Sequence, residues 1–378
     1  MSSPERGTYE AFVPAEIATR RFALEDDVVA AVASATKALA RLSSTEPRLV
    51  SLNALAGALL RSESTASSRI EGLAISQKRL ARASFEDGGR HRRDDKAAEI
   101  LGNVEAMEQA IALGVAGKKI SVEDIRGIHR TLLRFSVDRK IAGVIREQQN
   151  WIGGNDFNPI GAAYVPPPPE HVRPLLDDLC RFIARDDLAP IAQAAIAHAQ
   201  FENIHPFLDG NGRVGRALIH TVLRRTGEAV NYVPPISLVL AATQKSYVAG
   251  FGAFSSGDVS GWCDLFAAAT EWAVAEAERM AAAIEDRQAL WLERLGHPRR
   301  DAVVRQLIAN LPGQPVIDVG TGTRLTGRSH VAVQSALAQL EEAGVLRRLN
   351  ERKWGRVWEC DELLDLIDDF EQSVSTPR

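Results

Sequence analysis

The stretch His205-Pro206-Phe207-Leu208-Asp209-Gly210-Asn211-Gly212-Arg213-Val214-Gly215-Arg216 forces a break and a restart in a chain that otherwise reads as helix. Pro206 has no amide hydrogen and disfavours helical geometry in the residue before it, so the apolar helix written by PIAQAAIAHAQFENI must stop at His205. A helical period resumes near Gly212, after a loop of about seven residues, and GRALIHTVLRRTG carries it to Gly227, a residue suited to a C-cap. The fold has to bring two buried helices together around this turn.

The same twelve residues carry chemistry. Gly210 and Gly212 lack a Cβ, so the backbone between them can approach a ligand and aim successive N–H groups at one spot. With the positive end of the following helix this makes an anion cradle, and its natural ligand is a phosphate chain. Arg213 and Arg216 lie three apart on one helical face and suit a polyphosphate. Asp209 is a hard oxygen ligand placed to hold Mg²⁺, and His205 can take a proton from an incoming hydroxyl. Each residue alone has a bland role as a cap or a turn. Their consecutive order points to a site, though neither a P-loop nor a strand-led GxGxxG is present.

HPFLDGNGRVGR resembles the signature of the Fic family, HPFxDGNGRxxR, with every signature position filled. The resemblance implies transfer of AMP from ATP, with Mg²⁺, to a Tyr, Ser or Thr hydroxyl of a protein, this chain included. It assigns His205 as the base, Phe207 as the anchor of the loop in the core and Asp209 as the metal ligand. Gly210, Asn211 and Gly212 would bind phosphate oxygens, and Arg213 and Arg216 would grip the β- and γ-phosphates. WIGG followed by AAYVPPPPEHV is similar to the family's hairpin over the active site. On that likeness Trp151, Ile152, Gly153, Tyr164 and Val165 form a flap that holds a target segment by strand addition. SYVAGFGAFSSGD resembles the stretch that closes on adenine, with Tyr247 as the base contact; Ser246 and the Ser-Ser pair depart from the family's usual Tyr and Asn. Upstream, Ser67-Ser68-Arg69-Ile70-Glu71-Gly72 matches the family's inhibitory motif, in which Ser67, Glu71 and Gly72 are the matched positions and the glutamate pairs with the second signature arginine, here Arg216.

The rest of the chain fits a mainly α protein: a helical core of the Fic kind with a β-hairpin flap, an N-terminal helical region before it and a small winged-helix domain after it. The divisions expected are 1–100, 101–290 and 297–378. Ala- and Leu-rich periods from Asp26 to about Leu60 give two or three helices, and Ser121 with Asp124 makes an approximate capping box ahead of Ile125, Ile128 and Leu132. RASFEDGGRHRRDDKAAEI reads as an exposed loop entering a helix. The prolines Pro166 to Pro169 favour a stiff extended strut out of the flap. After Pro298 come a helix, a Pro/Gly-rich break, a second helix and a hairpin whose tip is Lys353-Trp354-Gly355-Arg356, the order of a winged helix.

Composition limits the alternatives. With 378 residues, 45% hydrophobic and 25% charged content and a formal charge of −4, the chain is no wholesale nucleic-acid binder. Ten Arg or Lys against six Asp or Glu between His297 and Cys360 is a modest surplus. Arg328 and Ser329 on a recognition helix, with Arg352, Lys353 and Arg356 on the wing, could meet DNA phosphates, but DNA binding is not the favoured role of the C-terminal domain. The rival to AMP transfer is a transcription regulator that senses nucleotide; a homodimer is left open. Cys180, Cys263 and Cys360 are odd in number and lack CxxC spacing, which fits buried thiols in a reducing compartment. The start MSSPERGTYEAFVP has neither the basic flank nor the apolar run of a signal peptide, so a cytoplasmic location without membrane insertion is expected.

Overall fold

The computed structural model describes residues 7–85, 95–155, 157–350 and 355–375. Among these the helices are α1 (Asp26–Ser44), α2 (Leu52–Ile70), α3 (Gln77–Phe85), α4 (Asp95–Leu113), α5 (Val122–Leu132), α6 (Pro169–Ile183), α7 (Pro190–Ile204), α8 (Asn211–Arg225), α9 (Ile236–Ala242), α10 (Gln244–Ser255), α11 (Val259–Arg294), α12 (Val303–Asn310), α13 (Val319–Thr326), α14 (His330–Glu342) and α15 (Asp361–Ser375). The strands are β1 (Val316–Asp318), β2 (Arg347–Arg348) and β3 (Val357–Glu359). The protein is mainly helical, as expected. No described helix is long and apolar enough to cross a membrane, and all three cysteines are buried and unpaired.

Two compact units form, each assembled from separate stretches of chain: Met1–Lys37, Glu105–Ala229 and Thr243–Thr270 in the first, Ala38–Val104, Val230–Ala242 and Glu271–Arg378 in the second. In the first unit α7 is the central element. Ile196, Phe201 and Ile204 are fully buried together with the alanines between them, the pattern of a helix covered on all sides. Trp262 on α11 anchors there by donating its indole N–H to the Ala195 carbonyl at 2.7 Å. Helix α5 opens with the capping box anticipated from Ser121 and Asp124: the Ser121 hydroxyl accepts from the Asp124 amide at 3.2 Å, and the Asp124 carboxylate accepts from the Ser121 amide at 2.9 Å. Gly227 sits just past α8 with φ +86°, the left-handed position that ends a helix.

The flap is less regular than expected. Among the described residues its two apolar runs meet in a single antiparallel bridge, Ile152 with Tyr164, with no ladder extending from it. Gly153 and Gly154 both take positive φ, and the Asn155 carboxamide accepts from the amides of Phe157 and Asn158, so local turn bonds replace strand pairing. The strut is also shorter than expected, because α6 begins at Pro169, where a proline in the first helical position loses no hydrogen bond.

In the second unit α2 packs with α9, and α15 packs with α3 and α9. The C-terminal part runs α12, β1, α13, α14, β2, β3 and α15, with elements the sequence did not announce. Strand β1 is antiparallel to β3, as is β2, giving the order β1-β3-β2 with Ile317 and Arg348 both opposite Trp358. Helix α13 survives its glycines because the Asp318 carboxylate accepts from the Thr321 amide at its start, and because a Cβ at Gly322 would come within 2.6 Å of Val333. The wing tip at Lys353-Trp354 and the charged loop around residues 86–94 lie outside the described residues, as does Arg352. Part of the basic surplus counted from the sequence is taken up internally: Arg347 pairs with Asp361 and Glu359, and Arg348 pairs with Glu341 at 2.8 Å.

Candidate active site

Helices α7 and α8 pack closely against each other on either side of the turn. A Cβ on Gly215, a position the signature leaves open, would fall 2.5 Å from the Glu202 carboxylate and 3.0 Å from the His198 ring, so a glycine there serves helix contact. Gly210, the N-cap of α8, has φ +79°, and a Cβ there would meet Leu132 at 2.9 Å and the His129 ring at 3.4 Å. Its bare side therefore faces α5. His205 closes α7 in the left-handed region, φ 47° and ψ 60°, which is uncommon outside glycine and clusters at functional sites.

What holds this turn is a set of donors aimed at its carbonyls. The His205 carbonyl accepts from Arg146 Nε at 2.9 Å, and the Pro206 carbonyl from the Arg146 amide at 3.0 Å. The Phe207 carbonyl accepts from Asn211 Nδ2 at 2.8 Å and from Asn150 Nδ2 at 3.0 Å, while Asn211 Oδ1 accepts from the Phe207 amide at 2.9 Å. The Asp209 carbonyl accepts from His129 Nε2 at 3.0 Å. His129 Nδ1 in turn accepts from the Gly143 amide at 2.9 Å, which fixes the neutral tautomer, and burial pushes its pKa down to about 4. The His129 ring stacks on Phe207 at 3.8 Å between centroids, so Phe207 is fully buried. With carbonyls turned toward these donors, the start of α8 presents its amides; no side chain caps it, and the first amides of a helix have no partner within it.

The side chains expected to act sit at this turn. His205 is partly exposed at its entrance, its Nδ1 3.9 Å from the Glu202 carboxylate. The Asp209 carboxylate is half exposed and accepts from Arg213 Nη2 at 3.3 Å, and Arg213 is itself buried. Arg216, one turn further along α8, is only 1% exposed. Asn211 spends its side-chain amide bracing Phe207.

The other expected residues scatter. In the flap, the Trp151 indole N–H donates to the Asn155 carbonyl at 2.7 Å, and Ile152 and Gly153 are exposed. The Tyr164 hydroxyl donates to the Asn203 carbonyl at 2.7 Å, and burial pushes its pKa up. Val165 is buried, and its carbonyl already accepts from the Phe12 amide at 2.8 Å, so this chain's own N-terminal segment covers that edge. Tyr247 is 2% exposed and lies in an aromatic cluster with Phe251 and Trp262, its hydroxyl 2.7 Å from His198 Nε2. The stretch expected to close on adenine does line a cavity through Phe254, Ser255 and Gly257, opposite Phe12, Gln200 and Asn203. In the second unit, Ser67 is fully buried on α2, Glu71 is the exposed C-cap and Gly72 follows with φ +79°.

Arg146, Asn150 and His129 were not found from the sequence. Arg146 and Asn150 fall in a segment without periodicity, and His129 occupies one slot of an apolar helical face; nothing local distinguishes them.

The region that holds this turn matches known proteins. Residues 119–223 match the Fic/DOC family, and residues 29–112 match the Fic/DOC family N-terminal region, together half of the chain. The fold is that of a mainly helical protein whose α7–α8 turn carries the signature, and this chain belongs to the Fic/DOC family. It is 33% identical over 156 residues to the protein adenylyltransferase Fic of Drosophila ananassae, an alignment covering 40% of this chain and 28% of that protein. The chain thus spans well under half the length of that relative. Two solved structures share the fold. One is a Fic family protein from Desulfovibrio desulfuricans G20, with a TM-score of 0.55, 21% identity, 90% of this chain covered and 97% of the other. The second is Fic-1 of C. elegans, with a TM-score of 0.52, 22% identity, 68% of this chain covered and 73% of the other.

Proposed function

We propose that this chain transfers AMP from ATP to the hydroxyl of a Tyr, Ser or Thr side chain of a protein, itself included. The observation that carries the reading is the turn at 205–211, whose carbonyls are bound from behind by Arg146, Asn150 and His129 while the uncapped start of α8 and the Arg213 guanidinium face a ligand. Such a cradle binds a triphosphate without reorganising when the ligand arrives, which is the condition for electrostatic stabilisation of a phosphoryl transition state. His205 takes the proton from the target hydroxyl as its oxygen bonds to the α-phosphorus, and the bond to the β-phosphate bridge breaks, releasing pyrophosphate.

A magnesium ion fits the donors present. No cluster of three ligating side chains occurs among the described residues, but Mg²⁺ held on a nucleotide needs only one or two carboxylates, and the half-exposed Asp209 supplies one. Asp209 would hold the ion, which would offset charge on the phosphates.

Glu71 is proposed as a brake: pairing with Arg216 would remove the guanidinium that orients the γ-phosphate and leave the α-phosphate misaligned. Two anchors on α15 bracket the exposed segment that carries it. Before it, Arg69 pairs with Glu371 at 2.8 Å; after it, the Gln77 amide donates to Asp368 at 2.8 Å and the Gln77 side chain donates to Glu371 at 2.7 Å.

The test uses ATP labelled at the α- or the γ-phosphate, incubated with the chain and with His205→Ala. Protein-bound label from the α position alone, lost in the variant, is expected. Label from the γ position would make the chain a phosphotransferase instead, and UTP labelled at the α position, run beside ATP, reads the base preference.

A further inference from the structure

Arg146 is a cation buried to 2% exposure that has no carboxylate partner among the described residues. Its bonds go to carbonyls alone: Nε to His205 at 2.9 Å, Nη1 to Gln148 at 3.2 Å, Nη2 to Pro167 at 2.5 Å and to Ile204 at 3.4 Å, with its own amide on Pro206 at 3.0 Å. Buried charges are ordinarily paired, and a guanidinium satisfied only by carbonyl dipoles is an expensive way to fasten a loop. Burial lowers its pKa to about 10, so the group stays charged at neutral pH.

The five carbonyls come from two places that have to be registered against each other. Gln148 and Pro167 are the two stems of the flap; Ile204, His205 and Pro206 are the end of α7 and the entrance of the turn. We infer that Arg146 is a positioning residue, whose planar fork fixes the peptide after His205 in its left-handed conformation and ties that peptide to both flap stems. One group then sets the direction of the imidazole and the place where a strand added to the flap delivers its hydroxyl. The inference rests on the proposed transfer reaction. The fork is the feature used, since a lysine offers a point charge without two rigid arms.

The test compares full-length Arg146→Gln and Arg146→Lys with the unmodified chain and with His205→Ala. Transfer from α-labelled ATP should fall about 10- to 100-fold in kcat for Arg146→Gln, the effect of a misplaced base, while KM for ATP and the equilibrium affinity for magnesium-ATP move less than about threefold. Arg146→Lys should recover part of that loss. A second readout does not need activity: the His205 ring resonances, assigned by their absence in His205→Ala, should shift or broaden in Arg146→Gln. Failure of the transfer reading shows as an unmodified chain that transfers nothing, whatever the resonances do. Failure of this inference shows as unchanged kcat with unchanged His205 resonances, or as kcat and nucleotide affinity falling together. If both variants are unfolded, Arg146 is a folding residue and the inference is overturned.

Discussion

The turn at 205–211 and the segment that carries Glu71 are both short connections after a helix, and they are fixed by opposite kinds of bond. The turn is held by groups whose charge does not change near neutral pH: Arg146, with a pKa lowered only to about 10, the amides of Asn150 and Asn211, and His129, whose pKa is lowered to about 4 by burial. The Glu71 segment is held through Glu371, a buried carboxyl that desolvation pushes up to about 7 despite Arg69 beside it. On the proposed reading, a site that would present the same geometry to every substrate uses constant donors, and a segment that would have to let go uses an ionisable one. If the proposed brake holds, the comparison sets preorganisation against regulation within one chain.

The strongest way to break it is at the turn. His205→Ala should cut transfer by a factor of about 10²–10⁴ with nucleotide affinity retained, read by α-labelled ATP beside equilibrium binding. Gly210→Ala should act on the scaffold. A methyl group there meets Leu132 and His129 and forces a residue with a Cβ into φ +79°, which should cost about 2–4 kcal/mol by denaturant unfolding. An unchanged midpoint would mean the turn is softer than its contacts with α5 imply.

Legibility followed the same line. The signature announced its own residues because Pro and Gly dictate backbone shape locally, and the structure puts His205, Asp209 and Arg213 together at the turn as their order implied. The capping box of α5 was legible for the same reason. Arg146 and His129 were not, because they act by meeting carbonyls across about 60 and 80 residues of chain, a distance at which no period or spacing carries information. The flap was over-read: two short apolar runs, around Trp151-Ile152 and Ala163-Tyr164-Val165, suggested a hairpin, but at Gly153, Gly154 and Asn155 the backbone turns instead. Tyr247 was placed by likeness at a ligand, and the structure buries it beside Phe251 and Trp262. Helix α13 and the three-residue β1 went unseen, since glycine content argued against the first and length against the second.

The Glu371 side of the comparison is sharpened by pH. Its carboxyl has a higher pKa folded than its ordinary 4.5, so the protonated form is favoured by folding; the stability it contributes is complete below about 4.5 and is lost as pH rises through about 7. Glu371→Gln keeps an acceptor for Arg69 without the charge. Its unfolding free energy should exceed that of the unmodified chain by a margin that grows from pH 5 to pH 8, to on the order of 3 kcal/mol. A margin independent of pH would return Glu371 to the class of constant anchors and erase the contrast with the turn.

The smallest expected effect bears on the brake itself. Glu71 is exposed at the end of α2, and Glu71→Gly should change stability by no more than about 0.5 kcal/mol, as surface substitutions usually do. Self-modification with α-labelled ATP should nevertheless rise about 5- to 150-fold, the range of a coupling between two sites. If Glu371→Gln at pH 8 raised self-modification as Glu71→Gly does, the α15 anchor would be the point where the brake is released, because that variant leaves Glu71 in place and changes only what brackets it. If Glu71→Gly left the rate as it was, the segment would be a surface turn that Glu371 holds for stability alone, and the turn at 205–211 would be working without a counterpart.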